Sequence, residues 1–248
     1  MPTVEKFSPC KVNLMLAILG PRPDGFHELL SLVAPTKFGD ILIAETAAGK
    51  TCDSLECNME GVPTDSSNLV IKAAELFRQK TGLKTFFNFR LEKRVPAGAG
   101  LGGGSSNGAS ALLAVNELCG TPLKINDLES IAAQMGSDCP LFLTQTPVVM
   151  RGRGEKVYPL RGAARECISR LKLLIFKPDF SINTGWAYAQ MRANPEDYID
   201  ETFVESALSE WLEESWRTRW PFVPWNVQQE YGKADRSLQK VPRPSNNS

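Results

Sequence analysis

The sequence predicts an α+β protein of two lobes, and three observations carry that prediction. Alternate apolar residues, as in Val12, Leu14, Leu16 and Ile18, read as strand, because strand side chains point to opposite faces in turn. Apolar residues three and four apart read as helix; over 68–79 Leu69, Val70, Ala73, Ala74 and Phe77 form one stripe. Composition also shifts late: all five Trp lie from Trp186 to Trp225, and Gly232 is the only glycine after Gly185. A first lobe is read to about residue 160, a second, incomplete one over 161–225, and a disordered polar tail over 226–248.

The elements follow in order. Residues 10–19 read as a strand, Pro21 to Gly25 as a turn, 26–33 as a strand-like or irregular segment, and 40–45 as a short strand. Asn68 is placed to cap the helix over 68–79, and 85–94 alternates as a strand. A helix over about 105–118 buries Ala109, Leu112, Leu113 and Leu118 on one face. The next, 126–135, has Asn126 as cap with Glu129 three residues on, and Gly136 as its stop. Strands at 147–151 and 156–160 flank the turn Gly152-Arg-Gly154. The apolar run LKLLIF, 171–176, reads as a buried strand, and 183–191 and 201–216 as helices.

Composition excludes several functions. The 28 Lys and Arg balance the 28 Asp and Glu, which argues against nucleic acid or a membrane surface as partner. No apolar run is long enough for a bilayer span or a signal peptide, so the expected location is cytoplasmic, as a monomer or weak homodimer. Six cysteines without a C-x-x-C pair read as scattered, mostly core thiols, not a disulfide framework. His27 is the only histidine, so no His-rich metal site can form and no metal-ligating residues are expected.

The chemistry concentrates in PAGAGLGGGSS, 96–106. Five glycines fall within Gly98 to Gly104, straight after a strand and straight before a helix. Glycine lets backbone N–H groups face an anion with no Cβ in the way, and the helix aims its unpaired N–H groups at the same spot. Ser105 and Ser106 add hydroxyl donors. No lysine lies in the run, so it is not a Walker loop, and no suitable acidic residue follows for a dinucleotide site. A flexible linker is the bland alternative, but linkers are seldom flanked so tightly by strand and helix.

This run resembles the second motif of the GHMP kinase superfamily, P-x-G-x-G-L-G-S/G-S-S, at every fixed position, and Pro9-Cys-Lys-Val-Asn-Leu14 resembles the first, P-x-K-x-N-L. Asp24-Gly-Phe-His-Glu28 resembles the Asp-Gly-Tyr-His-Glu of the branch that phosphorylates the 2-hydroxyl of 4-diphosphocytidyl-2-C-methylerythritol. Gly136-Ser-Asp-Cys-Pro140 and Gly152-Arg-Gly-Glu155 resemble two further segments of that branch, and the likeness runs from about Ser8 to Tyr188.

The resemblance implies a two-lobed GHMP-kinase-like fold, ATP and Mg2+ as cofactors, and a cytidine diphosphate-linked polyol as small-molecule substrate. It places the catalytic pair on Lys11 and Asp138. ATP would meet Pro96, Gly98, Gly100, Leu101, Gly102, Gly103, Gly104, Ser105 and Ser106, with Asn68 and Lys93 alongside. Asn13 and His27 would bind the acceptor, and Phe26 and Tyr188 would sandwich its cytosine. Taken singly, Lys11 reads equally as a surface lysine and Asp138 as a helix cap. Asn68 and Lys93 are as well explained by a cap and a surface charge.

A third superfamily motif, a Gly-Ser-Gly-type loop near the C-terminus, has no counterpart. Truncation, degeneration or replacement by other residues would each account for that. Two other functions stay open. One is a superfamily kinase with another acceptor, which Asp24 to Glu28 speaks against. The other is a non-catalytic nucleotide binder.

Overall fold

The computed structural model describes residues 2–176 and 184–213; residues 177–183 and 214–225 of the expected second lobe, and the tail at 226–248, lie outside the described residues. Six strands form one sheet, ordered β3-β4-β2-β5-β6, with β1 along the other edge of β2. β1 (Thr3–Pro21) and β2 (His27–Thr46) make a long antiparallel hairpin closed by the turn at Pro21 to Gly25. The 40–45 segment is thus the end of β2, not a strand of its own. β2 is long enough to serve two neighbours on one edge. Its end, Ile41 to Thr46, pairs with β4 (Phe87–Glu92), and its start, Leu29 to Val33, pairs with β5 (Val148–Gly152). β3 (Ser54–Cys57) joins β4 in parallel, and β6 (Lys156–Pro159) closes the far side.

Three helices cover the β4 half of the sheet. α1 (Leu69–Thr81) starts where expected: Asn68 Oδ1 accepts the Val70 N–H at 2.9 Å. Such a cap contributes about 1 kcal/mol. Its buried Val70, Ala73, Ala74 and Phe77 meet Leu42, Phe87, Phe89 and Leu91 of the sheet. α2 (Gly103–Leu118) is not amphipathic as expected. It is buried without a break from Ser106 to Leu112, because Gly108, Ala109, Ser110 and Ala111 let neighbours close in on every side. α3 (Ile125–Met135) has Lys124 at its N-cap, with no side-chain bond there, so Asn126 lies inside the helix.

α4 (Leu141–Thr144) is one turn, and α5 (Gly162–Arg170), α6 (Thr184–Ala193) and α7 (Glu201–Glu213) follow. Ile168, Val204 and Leu208 pack with Ala17, Leu30, Leu32 and Val149 as a second cluster, and Arg151 of β5 pairs with Glu205 of α7. The run at 171–176 is no strand. Leu174 is 98% and Phe176 86% exposed, and no described strand pairs with it. A fully apolar strand needs neighbours on both edges and cover on both faces. The six cysteines are free, as expected, but only Cys10 and Cys139 are core.

Candidate active site

The hairpin's irregularity builds the site. Pro9 faces Gly39 and Lys11 faces Pro35, so β2 carries extra residues around Thr36 to Phe38. The Thr36 hydroxyl closes this bulge by donating to the Phe38 carbonyl at 2.7 Å. A bulge breaks the ladder and re-aims nearby groups. Here it leaves the Lys11 N–H to donate to the Leu101 carbonyl of the glycine loop at 2.8 Å. The strand's lysine and the loop are therefore tied together by their backbones.

The loop leads directly into α2. Gly102, its last residue, has φ +68, and a Cβ there would lie 2.9 Å from both Lys11 Cγ and Phe142 Cζ. Lys11 and Phe142 thus press on a backbone that only glycine can supply. Together with Gly61 to Pro63 and Ser67 to Leu69, the loop lines a cavity of about 420 Å³. Pro96, Gly98, Gly100, Leu101, Gly102, Gly103, Gly104 and Ser105 all line it, as do Asn68 and Lys93. Ser106 does not. Its hydroxyl is buried without a hydrogen-bond partner, so the structure turns it inward, against the expectation that it faces the anion. Lys93 is not a surface charge either. It is buried and paired with Asp40 at 2.5 Å.

Asp138 and Lys11, far apart in sequence, meet beside the loop, although neither lines the cavity. Lys11 Nζ lies 3.9 Å from Asp138 Oδ2 and donates to Asn13 Oδ1 at 2.6 Å. Asn13 Nδ2 donates to the Ser31 hydroxyl at 2.7 Å, which donates to the Met15 carbonyl at 2.6 Å. The chain of bonds orients both the lysine and the amide. Cys139, the residue after Asp138, is fully buried in the core cluster with Ala111, Leu112 and Val115 of α2. Burial pushes its thiol up to about 11, so Cys139 stays neutral and is no nucleophile.

The second group of expected residues sits around the hairpin turn. His27 is buried, and its ring stacks on Tyr188 with centroids 5.1 Å apart. Phe26 is half exposed, with the Arg153 guanidinium 4.9 Å above its ring. Tyr188 and Phe26 therefore have different ring partners. Asp24 accepts the Phe26 N–H and pairs with Arg22, and both hold its carboxyl below the usual range. Tyr198 was not legible in the sequence. It follows a short 3₁₀ turn (Pro195–Asp197), no motif marks it, and its ring lies 5.9 Å from His27. His27 Nε2 and the Tyr198 hydroxyl are both buried without a hydrogen-bond partner. Buried polar atoms are rarely left so.

Burial, and then the charge of Arg192, lower the His27 pKa from 6.5. As pH falls through 6.5, the unfolded chain takes up this proton before the folded one does. Stability therefore declines from about pH 7 downward until the folded imidazole also protonates, whereas the lowered carboxylates titrate further down. His27→Gln is expected to flatten the denaturant midpoint between about pH 7 and pH 5.5; an unchanged slope would refute this.

The fold is that of the GHMP kinase class, as comparison with known proteins shows. Residues 68–145 match the family described as GHMP kinases N terminal domain. The 4-diphosphocytidyl-2-C-methyl-D-erythritol kinase of Protochlamydia amoebophila is 41% identical over 80% of this chain and 68% of its own length. The chloroplastic enzyme of that name from Oryza sativa is 40% identical, over 82% of this chain. A crystal structure of 4-(cytidine 5'-diphospho)-2C-methyl-D-erythritol kinase superposes with a TM-score of 0.65 at 32% identity, covering 84% of this chain and 70% of that one. The chain belongs to the 4-diphosphocytidyl-2-C-methyl-D-erythritol kinase family. It spans about half the length of the rice relative, 50%. Among the described residues no helix is long and apolar enough to cross a membrane.

Proposed function

We propose that this chain carries the nucleotide and catalytic site of an ATP-dependent kinase acting on the 2-hydroxyl of 4-diphosphocytidyl-2-C-methyl-D-erythritol, in non-mevalonate isoprenoid synthesis. The observation that carries this is Lys11: its backbone is tied to Leu101 of the loop and its ammonium faces Asp138. Phosphoryl transfer asks mainly for alignment and for stabilisation of charge on the phosphate oxygens. The loop amides and the start of α2 take the phosphates. The acceptor oxygen attacks the γ-phosphorus, the bond to the β-phosphate oxygen breaks, ADP leaves, and the acceptor proton passes to Asp138. Lys11, with its ammonium facing that carboxylate, helps to orient it.

Ser105, which lines the cavity, offers a hydroxyl oxygen beside the loop. Few protein oxygens next to phosphates suit Mg2+, which would neutralise charge there. Asn13 and His27 bind the acceptor, while Phe26 and Tyr188 offer stacking faces for its base. Asn68 and Lys93 face the nucleotide side of the cavity.

The test is ADP release with ATP, Mg2+ and a panel of acceptors. Release with the cytidine diphosphate-linked polyol, and not with homoserine or mevalonate, is expected. Release with one of the other acceptors alone would overturn the substrate. ATP binding without release, unaffected by Lys11→Ala or Asp138→Ala, would make the chain a non-catalytic binder.

A further inference from the structure

We propose that Asp40 is a positioning residue that holds both ends of the glycine loop in register for nucleotide binding. The proposal rests on the loop being the ATP phosphate site. Asp40 has 0% exposure, and all its acceptor capacity is used by groups flanking the loop. Oδ1 accepts the N–H groups of Arg94 at 2.7 Å and Val95 at 2.8 Å. Oδ2 accepts from Lys93 Nζ at 2.5 Å and Asn107 Nδ2 at 2.8 Å. Lys93 Nζ also donates to Asn107 Oδ1 at 3.1 Å, closing a ring of three side chains.

The positions explain what this ring does. β4 last pairs with β2 at Glu92 and Ile41, so from Lys93 onward the chain has left the ladder. Asp40, next to Ile41, catches the two amides just before Pro96, where the loop begins. The same carboxylate reaches Asn107 in the first turns of α2, where the loop has ended. One side chain therefore sets the spacing between the loop's two ends. The ammonium of Lys93 lies beneath the helix start: a Cβ on Gly103 would come within 3.1 Å of Nζ. Two of its three N–H groups are used, and Lys93 lines the cavity with the third to spare.

Stability alone is a poor reason for such a ring, since well-packed apolar residues often replace a buried ion pair at no loss. Apolar residues could not fix the directions of four donors. Preorganised amides, by contrast, are what an anion site needs.

The experiment compares the unmodified chain, Asp40→Asn, Asn107→Ala and the double variant. Each is titrated with ATP and Mg2+, and separately with cytidine 5'-diphosphate, while its unfolding midpoint is followed. Asp40→Asn keeps the shape but turns an amide donor toward the ammonium, which breaks the link. ATP affinity is expected to fall at least about tenfold in Asp40→Asn. A fall of about threefold or more is expected in Asn107→Ala, which leaves the ion pair in place and carries the test if Asp40→Asn fails to fold. The double variant should bind ATP about as Asp40→Asn does, because both changes cut one link. Cytidine 5'-diphosphate affinity should stay within about twofold throughout, since that site lies elsewhere.

Unchanged ATP affinity in Asp40→Asn would overturn the proposal. So would multiplying effects in the double variant, or equal losses for both nucleotides with a lowered midpoint. Failure of the unmodified chain to bind ATP would instead remove the loop's role itself, and Asp40's with it.

Discussion

Asp138→Asn is expected to lower turnover by about 10²–10⁴-fold while leaving ATP affinity within a few-fold, the range for losing a positioned proton acceptor. The amide has the carboxylate's shape, so the side chain can stay beside Lys11. It cannot take the proton that the acceptor oxygen sheds as the new P–O bond forms. Asp138 is 39% exposed and 3.9 Å from its lysine, so its partnership is loose and contributes little to the fold. Folding stability is therefore expected to change by less than about 0.5 kcal/mol. ADP release at saturating ATP, with a titration of ATP binding on the same protein, separates the two effects. Turnover within tenfold of the unmodified chain would remove Asp138 from the chemistry.

Gly102→Ala is expected to destabilise the fold and to abolish tight ATP binding together. Two costs add. A left-handed backbone costs a residue with a Cβ about 1–2 kcal/mol. The methyl would also press at 2.9 Å on Lys11 Cγ and Phe142 Cζ, and overpacking of that kind costs about 1–3 kcal/mol. Phe142 is buried and cannot yield, so Lys11 must, and Lys11 is the residue that joins the loop to Asp138. Gly49→Ala is the control, because Gly49 has a similar φ of +73 but open space around its Cβ. It should lose only the backbone part in thermal unfolding. Equal losses for the two variants would mean that the contact with Lys11 is unimportant.

The glycine loop was legible because its chemistry is local: a bare backbone between strand and helix can be read without knowing the fold. Lys11 and Asp138 were legible only through motifs, since nothing local shows that two such distant residues meet. β2 was read as two pieces because the register shift between Pro9 and Lys11, with its extra residues Thr36 to Phe38, separates Val33 from the apolar run after Asp40. That same shift releases the Lys11 amide, so the signal that hid the strand marks the site.

Asp40 was missed for another reason. An aspartate opening a short apolar strand reads as an edge residue facing water, and its burial depends on donors far along the chain, at 93–95 and 107. Tyr198 is placed by the Ile199 N–H donating to the Ile18 carbonyl, a contact no spacing predicts. The run at 171–176 shows the opposite error: apolar composition suggests burial, but burial needs a partner edge, which sequence pattern does not supply.

The most direct test of the account is amide hydrogen exchange along the chain with ATP and Mg2+ added, and separately with cytidine. Slowed exchange confined to residues 96–107 and their neighbours with ATP, and absent there with cytidine, is the predicted result. ATP that binds while those amides exchange as before would place the nucleotide elsewhere and contradict the account.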